Sequence, residues 1–137
     1  MQRFRILELD HSRNYLMAKV RHFPLVNGGT KLATELAQIV RPRIVEYVDL
    51  LGEASNQKLQ LDGLPDEPTA LALLVAISMQ VSAADKQKLL ESVGIPEMLA
   101  HEAHLLSREC LFTRFMIETQ HDIFPLNSGP TGYIFPN

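Results

Sequence analysis

The stretch from Leu64 to Glu91 constrains the fold more than any other. Leu64-Pro65-Asp66-Glu67-Pro68 leads into Thr69-Ala70-Leu71-Ala72-Leu73-Leu74-Val75-Ala76, and Ser82 stands three residues before Asp85-Lys86-Gln87-Lys88-Leu89-Leu90-Glu91. Asp66 is suited to accept hydrogen bonds from the free N–H groups of a first helical turn, where Pro68 loses nothing by lacking a donor. Ser82 and Asp85 repeat that logic as a variant of the capping box. The segment therefore predicts two capped helices joined by a tight corner, the first to about Gln80, the second to about Val93 with Gly94 as its stop.

The remaining elements follow from hydrophobic spacing. Residues 3–9 alternate polar and apolar, with Phe4, Ile6 or Leu7, and Leu9 as candidates for a buried face. Asp10 to Asn14 supplies turn residues, and Tyr15 to Phe23 again reads extended, which predicts a hairpin over residues 1–23. An isolated hairpin is barely stable in water and needs a covering partner. Pro24 to Gly29 reads as a linker and Thr30 as the cap of a long helix carrying Leu32, Leu36, Ile39, Val40, Ile44, Val45, Val48 and Leu51, kinked or broken at Pro42. Gly52 to Gly63 reads as a loop. Pro96 opens the last helix, to about His121, with one apolar stripe of Ile95, Leu99, Leu106, Cys110 and Ile117 and an adjacent one of Met98, Leu105, Phe112 and Met116. Such a spine, roughly 40 Å long, should contact several helices at once. The expected fold is mainly α: hairpin 1–23, a bundle of about four helices over 24–121, and an irregular tail 122–137 containing Pro125, Gly129, Pro130, Gly132 and Pro136.

Composition narrows the function classes. With 137 residues the chain can bury a core without disulfides or metals, and 46% apolar with 21% charged residues excludes global disorder. A net charge of −3 with no dense Lys/Arg stripe argues against a nucleic-acid binder. The single Cys110 requires no oxidising compartment. No secretory h-region follows Met1, and the longest apolar run, Ala70 to Ile77, is far short of the ~20 residues of a membrane span. The cytoplasm is the expected compartment.

The chemistry-bearing clusters are all incomplete. Glu97, His101, Glu102 and His104 resemble a metal site, but the histidines lie three apart instead of the four of the zincin signature, and no second Glu-x-x-His exists. They read as a solvated helix face. Cys110, with His104 and Arg114 one or two turns away, sits on the apolar stripe and reads as a small core residue. Asn27-Gly28-Gly29-Thr30-Lys31 lacks the order of a phosphate loop and reads as the approach to the Thr30 cap. Asp66-Glu67 favours a helix dipole at its start and is not a catalytic pair. Phe124, Tyr133 and Phe135 in the tail are expected to fold back over the bundle rather than form a sticky surface. No catalytic, cofactor-binding or metal-binding residue is predicted.

The order of these pieces resembles the LON domain, the substrate-binding module of Lon-type ATP-dependent proteases that also occurs alone in small bacterial proteins. The resemblance rests on "LPDEP, LALLVA, DKQKLLES", on the helix around Ile44-Val45-Glu46-Tyr47-Val48, on the spine, and on Gln2 to Leu9 with Tyr15 to Val20, similar to the last strands of the family's β-subdomain. It covers residues 2–118. The family's strand-rich start, with its Ile-Phe-Glu-x-Arg-Tyr motif, is not present ahead of these pieces, which implies a truncated domain, with Met1 an internal methionine or the hairpin left with an exposed sheet edge. Leu73, where protease members often carry a polar residue, suggests a stand-alone member. The resemblance implies a non-catalytic module binding unfolded or degron-bearing polypeptide, without ATPase or Ser-Lys peptidase chemistry, whose contact residues the motifs do not identify. The alternative is an unrelated helical adaptor or subunit docking on another protein through hairpin and tail. Self-association through those same segments is expected if the hairpin lacks a cover.

Overall fold

The fold was obtained as a computed structural model, which describes residues 2–127 and side chains as far as Gln120. A two-stranded antiparallel hairpin, β1 (Phe4–Asp10) and β2 (Met17–His22), precedes four helices: α1 (Lys31–Ser55), α2 (Pro68–Ser78), α3 (Ala83–Leu90) and α4 (Ile95–Asn127). Hairpin, helix count and long last helix are as the sequence predicts.

The helices form because their ends are satisfied. The Thr30 hydroxyl accepts from Ala33 N at 3.2 Å, and the Ser82 hydroxyl from Asp85 N at 3.1 Å. For α2 the cap is Glu67 rather than Asp66: its carboxylate accepts from Thr69 N at 3.0 Å and Ala70 N at 2.8 Å, and Pro68 takes the first helical position behind it. Asp66 instead offers its carbonyl to Arg41, 2.8 Å away. Helix α1 is continuous through Pro42 and runs past Gly52 to Ser55, where left-handed Asn56 (φ 54°) ends it. Pro42 is exposed, so the bond it cannot donate lies on the wet side of the helix. Helix α3 stops at Leu90, earlier than expected, because Gly94 serves as a contact point instead of a cap. Ile95 N donates to Val26 O at 2.9 Å, and a Cβ on Gly94 would lie 3.2 Å from that same carbonyl. Helix α4 continues beyond His121 to Asn127, through Pro125, so residues 122–127 are helical and not irregular as expected; residues 128–137 lie outside the described residues.

The core lies between α1 and α4, closed by α2 and α3. Ala33, Ala37, Val40, Ile44 and Tyr47 from α1 meet Leu71, Ala72 and Val75 from α2 and Leu99, Leu106 and Cys110 from α4 in one buried cluster. Small residues at 33, 37 and 72 allow close approach of the helices, and each fully buried Leu or Ile contributes about 1.5–3 kcal/mol. Two bonds lock the crossing: Gln80 N donates to the Tyr47 hydroxyl at 3.0 Å, and Arg43 to the Ala103 carbonyl at 2.7 Å. The expected second stripe of α4 is buried only in its first half. Met98 and Leu105 are buried, whereas Phe112 and Met116, with Leu111 and Phe115, are exposed. Arg108, ion-paired with Asp85 at 2.8 Å, marks where α3 meets α4.

Candidate functional site

The hairpin stands away from the helical body, and every residue of both strands is exposed. Its side chains are nonetheless sorted. Ile6 faces Val20 and Glu8 faces Lys19, so Leu7 is an extra residue in β1, a bulge. Paired residues share a face and alternate along each strand. The bulge therefore brings Leu9, opposite Ala18, onto the face of Phe4 (opposite His22) and Ile6 (opposite Val20). The other face carries Arg5 opposite Arg21, Glu8 opposite Lys19, and Asp10. The ambiguity between Ile6 and Leu7 is thus resolved in favour of Ile6, yet the apolar face is not covered: Ile6 is 62% and Phe4 53% exposed.

One side chain moors this hairpin. Arg3 donates from Nε to Phe23 O at 2.8 Å, from Nη1 to Leu90 O at 2.9 Å and to Ser92 O, and from Nη2 to Pro24 O at 3.1 Å and Val93 O at 3.4 Å. All five guanidinium N–H groups are used on carbonyls of the hairpin root and of the turn after α3. The guanidinium also lies 3.9 Å from the Phe23 ring, with Arg5 stacked at 4.6 Å. Burial, and then the charge of Arg5, lower the Arg3 pKa from its ordinary value.

Between the moored hairpin and the helices opens a cavity of about 950 Å³. Leu25, Leu73 and Met98 form its apolar floor, Leu90 and Glu91 one wall, and residues 2–6 of the chain the other. It combines an apolar base with the side chains of Arg5, His22 and the acid Glu91. The sequence did not expose it because its parts come from residues 2–6, 22–25, 69–73 and 87–98.

The clusters weighed from sequence do not converge. Among the described residues no group of three or more His, Cys, Asp or Glu could hold a metal. Glu97 caps the turn before α4 by accepting from Val93 N at 3.1 Å, and His104 is exposed. Glu102 departs from the expected solvated face. It is fully buried, neither carboxylate oxygen has a hydrogen-bond partner among the described residues, and desolvation pushes its pKa up to about 9. Its place one turn from Leu99 and Leu106 dictates this, since residues three and four apart share a helix face. Cys110 is buried as expected; burial chiefly, opposed by Arg43, raises its thiol pKa. Gly28 abuts the Thr69 hydroxyl, so the 27–31 loop packs on the start of α2 and Thr30 caps α1. The side chains of Phe124, Tyr133 and Phe135 lie outside the described residues.

No helix among the described residues is long and apolar enough to cross a membrane. No curated protein and no solved structure matches the chain. Residues 1–108, which span the hairpin, the cavity and the first half of α4, match the sequence profile of the ATP-dependent protease La (LON) substrate-binding domain, and the chain belongs to that family.

Proposed function

We propose that this chain is a non-catalytic module that holds an unfolded or degron-bearing polypeptide in the cavity between hairpin and helices, and that it works in the cytoplasm. The observation that carries this reading is the juxtaposition of an apolar floor (Leu25, Leu73, Met98) with an uncovered apolar strand face (Phe4, Ile6). Folded proteins seldom leave so many large side chains in water without a use for them. A flexible chain presenting apolar residues can bury them there, whereas a folded protein cannot enter. Family membership supports substrate binding of this kind.

Fluorescence anisotropy with a labelled, reduced and carboxymethylated protein tests this. Saturable binding is expected, with no binding of the same protein in its native form. Leu73→Glu is expected to weaken it at least tenfold. Absence of binding up to on the order of 100 μM, an affinity of only about 5 kcal/mol, would refute the proposal.

A further inference from the structure

We propose that the outer face of α4 is a self-association surface, on which a second copy of this chain packs antiparallel about a twofold axis level with residue 113. This contact is separate from the cavity and from the polypeptide proposed to occupy it.

Helical spacing defines the surface. His101, His104, Arg108, Leu111, Phe115 and Glu118 follow one another at alternating intervals of three and four residues, the repeat that keeps a seam facing a partner helix. The seam lies across α4 from Leu99, Leu106, Cys110 and Ile117, which are buried. Leu111 is 68% and Phe115 63% exposed, and the exposed Phe112 and Met116 widen the seam on one flank. All four lie beyond residues 1–108, the stretch that matches the family profile.

The seam complements itself in one direction only. When two copies run antiparallel about residue 113, Leu111 of each meets Phe115 of the other, and Arg108 of each meets Glu118 of the other. Each contact occurs twice, as a closed twofold interface requires. Parallel pairing would set Arg108 on Arg108 and Glu118 on Glu118. Both charged groups have capacity to spare. Arg108 spends Nε and Nη2 on Asp85 and Glu109, and among the described residues Nη1 has no partner. Asp85 and Glu109 are less exposed than the guanidinium they hold, so the cation is the outward group. Among the described residues no cation pairs with Glu118.

Area sets the strength. Large apolar side chains of this exposure withdraw roughly 100 Å² each from water on contact, so the four remove roughly 400 Å² per copy. Arg108 and Glu118 bring the contact to the low end of specific interfaces, roughly 600 Å² per partner. The expected state is therefore a monomer–dimer equilibrium, with the stripe open to solvent at low concentration.

Sedimentation equilibrium of the full chain, with no ligand added, reads this equilibrium. A dimer is expected at concentrations on the order of 100 μM. Leu111→Ser combined with Phe115→Ser is expected to weaken it by about twentyfold or more, with the thermal midpoint of the dilute chain unchanged because both side chains are exposed. Glu118→Lys, which faces Arg108 with a second cation, is expected to weaken it about fivefold. Direction is read by a spin label on His101→Cys, the buried Cys110 thiol remaining unlabelled. Antiparallel packing places the two labels roughly 36 Å apart along the helices. A separation of roughly 10 Å, the lateral spacing of packed helices, would mean parallel pairing and overturn the proposal. A chain that stays monomeric at that concentration, as it would if another part of the chain lay over the stripe, overturns it too. So does a dimer that persists undiminished in the Leu111→Ser, Phe115→Ser variant.

Discussion

Glu102 makes the protein's stability depend on pH in a direction opposite to that of most carboxylates. Its side chain is fully buried, both oxygens lack a partner among the described residues, and desolvation raises its pKa from 4.5 to about 9. In the unfolded chain it loses its proton near 4.5, so between that pH and about 9 the folded state binds one proton more than the unfolded state. Stability then falls as pH rises across this window, by about 1.4 kcal/mol per unit, and is flat with respect to this group below and above it. At pH 7 the accumulated loss is about 3 kcal/mol, a large part of the stability of a small domain. Glu102→Leu should recover most of it, because Leu fits among Met98, Leu99, Leu105 and Leu106 without a polar group to desolvate. Glu102→Gln should abolish the slope but recover less, since an unpartnered buried amide still costs about 1–3 kcal/mol. Urea unfolding at pH 5, 6, 7, 8 and 9 separates the cases. Parallel stability curves for the unaltered chain and Glu102→Gln across that range would refute the reasoning and place the carboxylate in contact with water.

Three further outcomes follow from single residues. Arg3→Lys should free the hairpin, because one ammonium cannot reach five carbonyls; amides of β1 and β2 should exchange at least tenfold faster while α4 is unchanged, a cost of about 1.5–3 kcal/mol. Gly52→Ala should destabilise by about 1–3 kcal/mol in thermal melts even though alanine is the better helix former by about 1, since its Cβ would meet the Gln57 carbonyl at 2.7 Å. Pro42→Ala should stabilise by about 1–3 kcal/mol in urea unfolding, by restoring an N–H to the interior of α1 at an exposed position where no packing is lost.

The sequence was most legible where a local rule has one answer. Thr30 and Ser82 are caps because each precedes a periodic run with nothing better placed nearby. At α2 two acids compete, and Pro68 decides between them: the first helical position is proline's, so the residue before it, Glu67, must be the cap. Local rules failed where a neighbour from elsewhere in the chain intervened. Gly52 reads as a stop, yet the chain returning at Gln57 and Leu59 packs against its bare Cα and needs the helix to continue. Glu102 reads as solvated by its chemistry and as buried by its spacing, and spacing prevails because α4 is pinned on both sides by Leu99 and Leu106. Phe112 and Met116 repeat the error in reverse, since a stripe is buried only as far as a partner helix extends. The hairpin's alternation was ambiguous because a bulge shifts the period at Leu7, which no propensity marks. The cavity belongs to four separated segments and so has no sequence signature, although the family resemblance pointed to binding as the function.

The central claim, that polypeptide is held between the hairpin and the helices, is tested most directly by site-specific photo-cross-linking to an unfolded protein. A photoreactive amino acid at Leu73 reports on the cavity floor, and one at Leu111 on a different exposed apolar surface, on α4. Both positions offer accessible apolar side chains, so non-specific stickiness would label both alike. Cross-links from Leu73 that excess unlabelled unfolded protein abolishes, with none from Leu111, are the predicted result. Cross-links from Leu111 with none from Leu73 would contradict it.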